Sequence, residues 1–282
     1  MERLQTLVKN VSSVKRKKYL SFFRMRFLMG LQYRVAAIAG MITQLFWGAM
    51  ELLLYRAFYE ADAAAFPMSF RALTCYIWLQ QAFLSLFGAW MFENEIFDAI
   101  VDGNLAYELC RPVNIYDMWF SRNMAMRFSR VCLRCLPILL VAALLPKPYG
   151  MTLPASALHA LLFVVAIALS AFVVVACMML VYVLAFYTIS PAGLCMVYVC
   201  AVDFMGGGII PLPFLPDGLR RVVELLPFAS MQNVPLRIYG GSMSGREMAL
   251  AIGLQVFWIV VLVVFGRALC ARAVNRVVVQ GG

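Results

Sequence analysis

Glu51 and Asp203 are carboxylates in stretches that are otherwise apolar or aromatic, LFWGAMELLLY and YVCAVDFMGGG. A carboxylate in such a setting is costly to bury and is a starting point for moving protons or ions. Glu51 follows Gln44 by seven residues, so the two share a helical face. Arg127, Arg130 and Arg134 fall on one face of RFSRVCLRC, with Arg134 the deepest. Guanidiniums in a row suit anions, because each presents a fork of donors to phosphate or carboxylate oxygens. Two roles stand for the acids: a structural hydrogen bond, or a part in gating or substrate contact. Three stand for the arginines. They line a cavity for an anionic or amphipathic substrate, reach inner-leaflet phosphates, or pair with Glu or Asp across a bundle.

Other chemistries find no footing. The eight cysteines are scattered, and only Cys132 and Cys135 form a C-x-x-C pair. A zinc site needs a second such pair or histidine partners, and His159 is the single histidine. No Gly-Lys pair exists, which excludes a G-x-x-x-x-G-K-[ST] phosphate loop. H-E-x-x-H and G-x-S-x-G are absent. The acids within apolar segments are too few and too dispersed for a metal-dependent lipid transferase. The chain is therefore expected to be no enzyme and to hold no cofactor or metal of its own.

The elements that carry these residues follow from composition. Of 282 residues, 64% are hydrophobic and 13% charged, with a mean hydropathy of +0.85. Soluble domains are nearer half apolar and a quarter charged, so this is a polytopic membrane protein. The net charge of +10 clusters beside the apolar runs. It reads as topology and attraction to anionic lipid rather than nucleic-acid binding. Six spans are expected, at about Val35–Phe58, Phe70–Phe92, Phe120–Leu145, Ala155–Tyr187, Pro191–Ile210 and Glu247–Leu269. Ser190 with Pro191 opens the fifth, and Ser244 with Glu247 has capping-box spacing for the sixth.

Residues 1–34 carry Arg3, Lys9, Lys15, Arg16, Lys17, Lys18, Arg24, Arg26 and Arg34, and no cleavable signal is expected. Leu20, Phe23, Phe27 and Leu31 recur at helical spacing there, which predicts a basic amphipathic helix in the membrane interface. The tail over 267–282 has Arg267, Arg272 and Arg276. Both ends then lie in the cytoplasm, which an even span count satisfies. No internal repeat or linker divides the chain, so 1–282 is one domain. Six helices make few walls for a path, which argues for a second permease subunit.

Two connections stand out. Residues 206–241 begin GGGIIPLPFLP, with Gly206, Gly207, Gly208, Pro211 and Pro213 breaking an apolar run. Leu219, Val222, Val223 and Leu226 then mark a short amphipathic helix, with Arg220 and Glu224 expected to pair at i, i+4. Irregular backbone at membrane depth needs protein or water around it, so a re-entrant outer hairpin is expected, with an ordinary extracellular loop as the alternative. Residues 93–117 are charged and expected on the cytoplasmic side. There Ile96, Ile100 and Val101 form one face of a short helix and Asp98 and Asp102 another, with Gly103 as the stop. Ile115 and Tyr116 resume an interfacial helix after Pro112. Apolar residues in so charged a segment favour a docking surface over a solvated loop.

These words carry a family likeness. IFDAIVDGNLAYELCRP and GGGIIPLPFLP…LLPF…P…IYGG resemble the I-x-x-G-x-L…L-x-R-P and P…LP…PF…P…G patterns of the membrane subunit of ABC-type-2 exporters, and the order of elements is similar along nearly the whole length. The resemblance implies an ATP-driven exporter in the bacterial inner membrane. In such a system two copies of a separate ATPase bind ATP and Mg and dock on the segment between spans two and three. Here that segment offers Ile96, Ile100, Asp102, Gly103, Leu109, Arg111 and Pro112, with Arg111 foremost. The ending VVVQGG resembles a subgroup encoded with a second, related permease, although an identical partner also fits. The outer hairpin would lid the exit of the path. Two other readings are an ion-coupled carrier working through Asp203 or Glu51, and a membrane-embedded enzyme.

Overall fold

A computed structural model describes residues 17–275, and every regular element among them is helical. Arg3, Lys9, Lys15, Arg16, Arg276 and the VVVQGG ending, on which some of these expectations rest, lie outside the described residues. The helix α1 is described over residues 17–30. It is followed by α2 (Arg34–Ala61), α3 (Phe70–Ala82), α4 (Leu84–Phe87), α5 (Asn94–Val101), α6 (Leu105–Leu109) and α7 (Ile115–Leu144). Then come α8 (Ala157–Ala185), α9 (Pro191–Met205), α10 (Asp217–Leu225), α11 (Asn233–Gly240) and α12 (Gly245–Val274). Of these, α2, α8 and α12 are long and apolar enough to cross a membrane by length and composition.

Local chemistry sets most helix ends. Ser69, Asn114, Ser156, Ser190 and Ser244 each accept a hydrogen bond from a backbone N–H one turn inside their helix. At Ser244 the reciprocal Glu247 bond closes the expected capping box. Such caps satisfy donors that the first turn leaves orphaned. The single histidine also ends up here, with His159 Nδ1 2.8 Å from the hydroxyl of Ser156.

At the centre is α8, buried almost without interruption from Val173 to Val183 and packed by α7, α9, α11 and α12. By contrast α2 buries only Ala37, Gln44, Gly48 and Leu52, one stripe at roughly helical spacing. Phe46, Trp47, Met50, Leu53 and Leu54 point outward. A helix apolar all round with one buried stripe is suited to a lipid or subunit boundary.

Three expected spans differ in detail. The second breaks at Phe83, continues as one short turn of α4, and is irregular from Gly88 to Glu93. The reason lies across the bundle, in Arg127, described below. The fifth stops at Met205 rather than Ile210, leaving 15 helical residues, about 22 Å of rise against roughly 30 Å of hydrocarbon. The third is not preceded by a separate interfacial helix, because Ile115 and Tyr116 are the first turn of α7 itself.

In α1 the expected apolar stripe divides. Phe22 and Phe23 pack against the core, while Leu20 is 65% exposed. Around α10 the expected Arg220–Glu224 pair does not form. Arg220 bonds Asp217 at 2.7 Å, and Glu224 turns to Arg237 at 2.7 Å. A partner on α11 fixes Glu224 in place of the neighbour on its own helix.

Candidate coupling segment and path

The glycines after α9 make a tight turn. Gly206 is the C-cap, and Gly207 has φ +83, a conformation that L side chains avoid. A Cβ at Gly207 would come within 2.7 Å of the Tyr76 hydroxyl, and one at Gly206 within 2.5 Å of the Val202 carbonyl. Three side chains hold the turn by its carbonyls. Tyr76 Oη and Gln232 Nε2 donate to Gly207 O at 3.2 and 3.1 Å, and Gln80 Nε2 donates to Gly208 O at 2.7 Å. The chain then passes Pro211 and Pro213 through a single 3-10 turn. Phe214 ends against Tyr55 and Phe66, at ring distances of 5.3 and 5.2 Å.

The two acids flank this turn. Glu51 lines a cavity of about 540 Å³ with Gln44, Gln80, Gln81 and Gly208. Its Oε2 accepts from Gln81 Nε2 at 3.5 Å, and both side-chain polar atoms of the buried Gln44 are without a partner among the described residues. Asp203 lines a smaller cavity of about 110 Å³. Gln80, Leu84, Trp90, Gly208 and Ile209 belong to both. So Glu51 and Asp203 line adjoining cavities whose shared wall is formed by these five residues, with Gln80 bonded to the glycine turn. Composition could not show this wall, because Gln80 and Gln81 look like ordinary polar interruptions of a span.

The three arginines part company. Arg127 is fully buried and donates to the carbonyls of Leu86, Gly88 and Met91, at 2.5 to 3.5 Å. Those carbonyls are the ones freed where the second span frays, so Arg127 acts as a side-chain cap for it. It lines neither acid cavity. Arg130 and Arg134 instead border a different cavity, beside the start of α2. Cys132 is exposed and Cys135 buried, and among the described residues no other Cys, His, Asp or Glu groups with them as metal ligands would.

Between α4 and α7 lies a folded insertion of two short helices. Ile96 has no exposed surface and Phe97 is 6% exposed, while Ile100 packs at the core's edge. Ile96 therefore anchors α5 to the bundle, correcting the expectation that it faces outward with Val101. Asp102 and Gly103 make the turn, with Gly103 at φ +74. Beyond it Leu105 is buried, but Tyr107 is 77% exposed and Leu109, Arg111 and Pro112 are at the surface with Val101.

Both ends of the insertion are tied to α7. Arg122, almost wholly buried, pairs with Glu93 at 2.6 Å and with Glu95. Glu93 N–H donates to Tyr182 Oη at 2.7 Å, and that hydroxyl donates to Asn123 Oδ1 at 3.2 Å. At the far end Trp119 Nε1 donates to Glu108 Oε2 at 2.6 Å. Sequence reasoning singled out none of these tying residues. The available signal was three acids among apolar residues, facing an arginine and a tryptophan one turn apart on the next helix.

Comparison with known families decides what this arrangement belongs to. The profile described as ABC-2 family transporter protein matches residues 45–281. The chain belongs to that family. It is accordingly a multi-pass membrane protein and of the kind that forms the membrane subunit of a transporter. No curated protein matches it significantly. The match to the ABC-2 family takes in the whole insertion, the glycine turn and both acids. It begins inside α2, so α1 and the elbow into α2 lie outside it.

Proposed function

We propose that this chain is the transmembrane subunit of an ATP-driven exporter, powered by two copies of a separate ATPase that binds ATP and Mg. The observation that carries this reading is the insertion α5–α6. Its inner face is locked to α7 and α8 by Ile96, Arg122 and Trp119, while Val101, Tyr107, Leu109 and Arg111 remain exposed. An exposed apolar and aromatic patch on a rigidly mounted helix pair is what a docking surface requires. Force on that patch reaches α7 through short, largely buried bonds.

In this reading six segments span the bacterial inner membrane: α2, the broken pair α3–α4, α7, α8, α9 completed by the glycine turn, and α12. Both termini and the insertion are cytoplasmic, and the glycine turn with α10 forms the outer hairpin. In α10 Leu219, Val222 and Leu225 are exposed while Val223 is buried, as suits a helix lying in the outer interface. A second permease, related or identical, completes the path along exposed apolar faces such as that of α2.

The test is co-purification. An ATP-hydrolysing subunit should accompany the wild-type chain. Tyr107→Ala with Arg111→Ala should lose it without lowering the thermal midpoint, since neither side chain is buried. Retention of the subunit by that variant would overturn the assignment. A second reading, an ion-coupled carrier, draws on the placement of Glu51 and Asp203 across one wall. It predicts transport with no ATPase at all.

A further inference from the structure

A cavity of about 350 Å³ lies between the α1–α2 elbow and α7, apart from both acid cavities. Four guanidiniums line it, those of Arg26, Arg122, Arg130 and Arg134, against two carboxylates, Glu93 and Glu95. The carboxylates are already engaged by Arg122. Arg26 reaches Glu95 only at 3.9 Å. Arg134 makes one bond, Nη2 to Ala36 O at 3.4 Å, and Arg130 makes none among the described residues. The Nε atoms of Arg26 and Arg134 are buried without a partner among the described residues.

A buried donor left unfilled is costly, and these two atoms belong to half-buried guanidiniums that together face one cavity suited to an acceptor. Phosphate oxygens fit guanidinium forks better than any neutral group. The backbone makes room for this cluster. A Cβ at Gly40 would come within 2.7 Å of the Arg134 guanidinium. The rim is apolar, with Met29 47% and Tyr33 72% exposed beside the cavity, and Val35 82% exposed next along the chain. A charged hole with an apolar rim suits a headgroup with its acyl chains attached.

We propose that Arg26, Arg130 and Arg134 form a binding site for the phosphate of an anionic phospholipid. The site sits beside the Arg122 ion pairs that mount α5, so its occupant is a neighbour of the insertion. The cavity holds two more guanidiniums than carboxylates, and the single negative charge of a phosphodiester offsets one of them. The site does not depend on which partner drives the chain, and its test reads lipid binding rather than transport.

The full-length chain is delipidated in neutral detergent. Phosphatidylglycerol, phosphatidylcholine and inorganic phosphate are then titrated separately, with retained lipid read by native mass spectrometry. Phosphatidylglycerol should bind in preference to phosphatidylcholine. Affinity should fall about fivefold for each arginine neutralised and roughly thirtyfold for Arg130→Gln with Arg134→Gln. Arg130→Lys with Arg134→Lys should recover much of the loss. Equal affinity for the two lipids, or no loss in the double variant, overturns the proposal. Inorganic phosphate binding as tightly as phosphatidylglycerol assigns the site to a soluble anion and overturns the lipid. Arg130→Gln alone removes no bond among the described residues, so it serves if the double variant does not fold.

Discussion

At Gly207 two demands meet at one atom. The backbone is left-handed, which costs a residue with a Cβ about 1–2 kcal/mol. The space a Cβ needs is also held by the Tyr76 hydroxyl, whose hydrogen bond to the same residue's carbonyl is worth about 1 kcal/mol. Gly207→Ala should therefore lower the thermal midpoint by several degrees. Tyr76→Phe should lower it less, and it also clears the space. The double variant should be more stable than the sum of the two losses implies, since one change relieves the crowding that the other creates. Strict additivity would show that the hydroxyl and the turn do not touch in the way the structure has them. If transport also fails in Gly207→Ala while the protein stays folded, the turn has a part in motion as well as in shape.

Among the elements, the mounting of α5 is the most exposed to failure. Glu93 is 15% exposed and its main partner is Arg122, itself 4% exposed. Removing the arginine leaves a mostly buried carboxylate unpaired, at a cost of about 3 kcal/mol. Arg122→Gln should release the insertion from α7. Limited proteolysis should then cut faster at the Asp102–Asn104 turn than it does in the wild type. Adding Glu93→Gln should reverse much of that increase, because the pair is lost without an orphaned charge. Cleavage unchanged by Arg122→Gln would place the strength of the mount in Ile96 and Leu105 instead. What could be foreseen of these elements follows the range of the forces. Ser190, Ser244 and Gly103 were legible, since a cap or a stop involves residues within one turn. The break in the second span was not, because the group that stabilises it is Arg127, 39 to 41 residues away. Likewise Arg122 finds its acids 27 and 29 residues back, and Glu224 prefers Arg237 to its own neighbour. The arginines read alike because spacing places them on one face. Only packing shows that one is a cap and two border a separate cavity.

For the whole molecule the open question is where the energy for movement enters. The insertion offers one port and the pair of acids offers another. They are far apart in the chain but both reach the long helices: α7 through Arg122, and α2 and α9 through Glu51 and Asp203. If ATP supplies the energy, the acids have only to support the wall made by Gln80 and the glycine turn. Glu51→Gln and Asp203→Asn keep shape and hydrogen-bonding capacity while removing the charge. Transport by these variants in reconstituted vesicles should then stay within about twofold of wild type, a change of about 0.4 kcal/mol, since the amides keep the hydrogen bonds that hold the wall. It should cease in each case when ATP is withheld. If a carried ion supplies the energy, the same variants should abolish uptake and remove its dependence on an imposed pH gradient, with ATP making no difference. The two outcomes cannot coincide, because a neutral amide cannot release a proton, whereas a docking patch on α5–α6 can work beside it undisturbed.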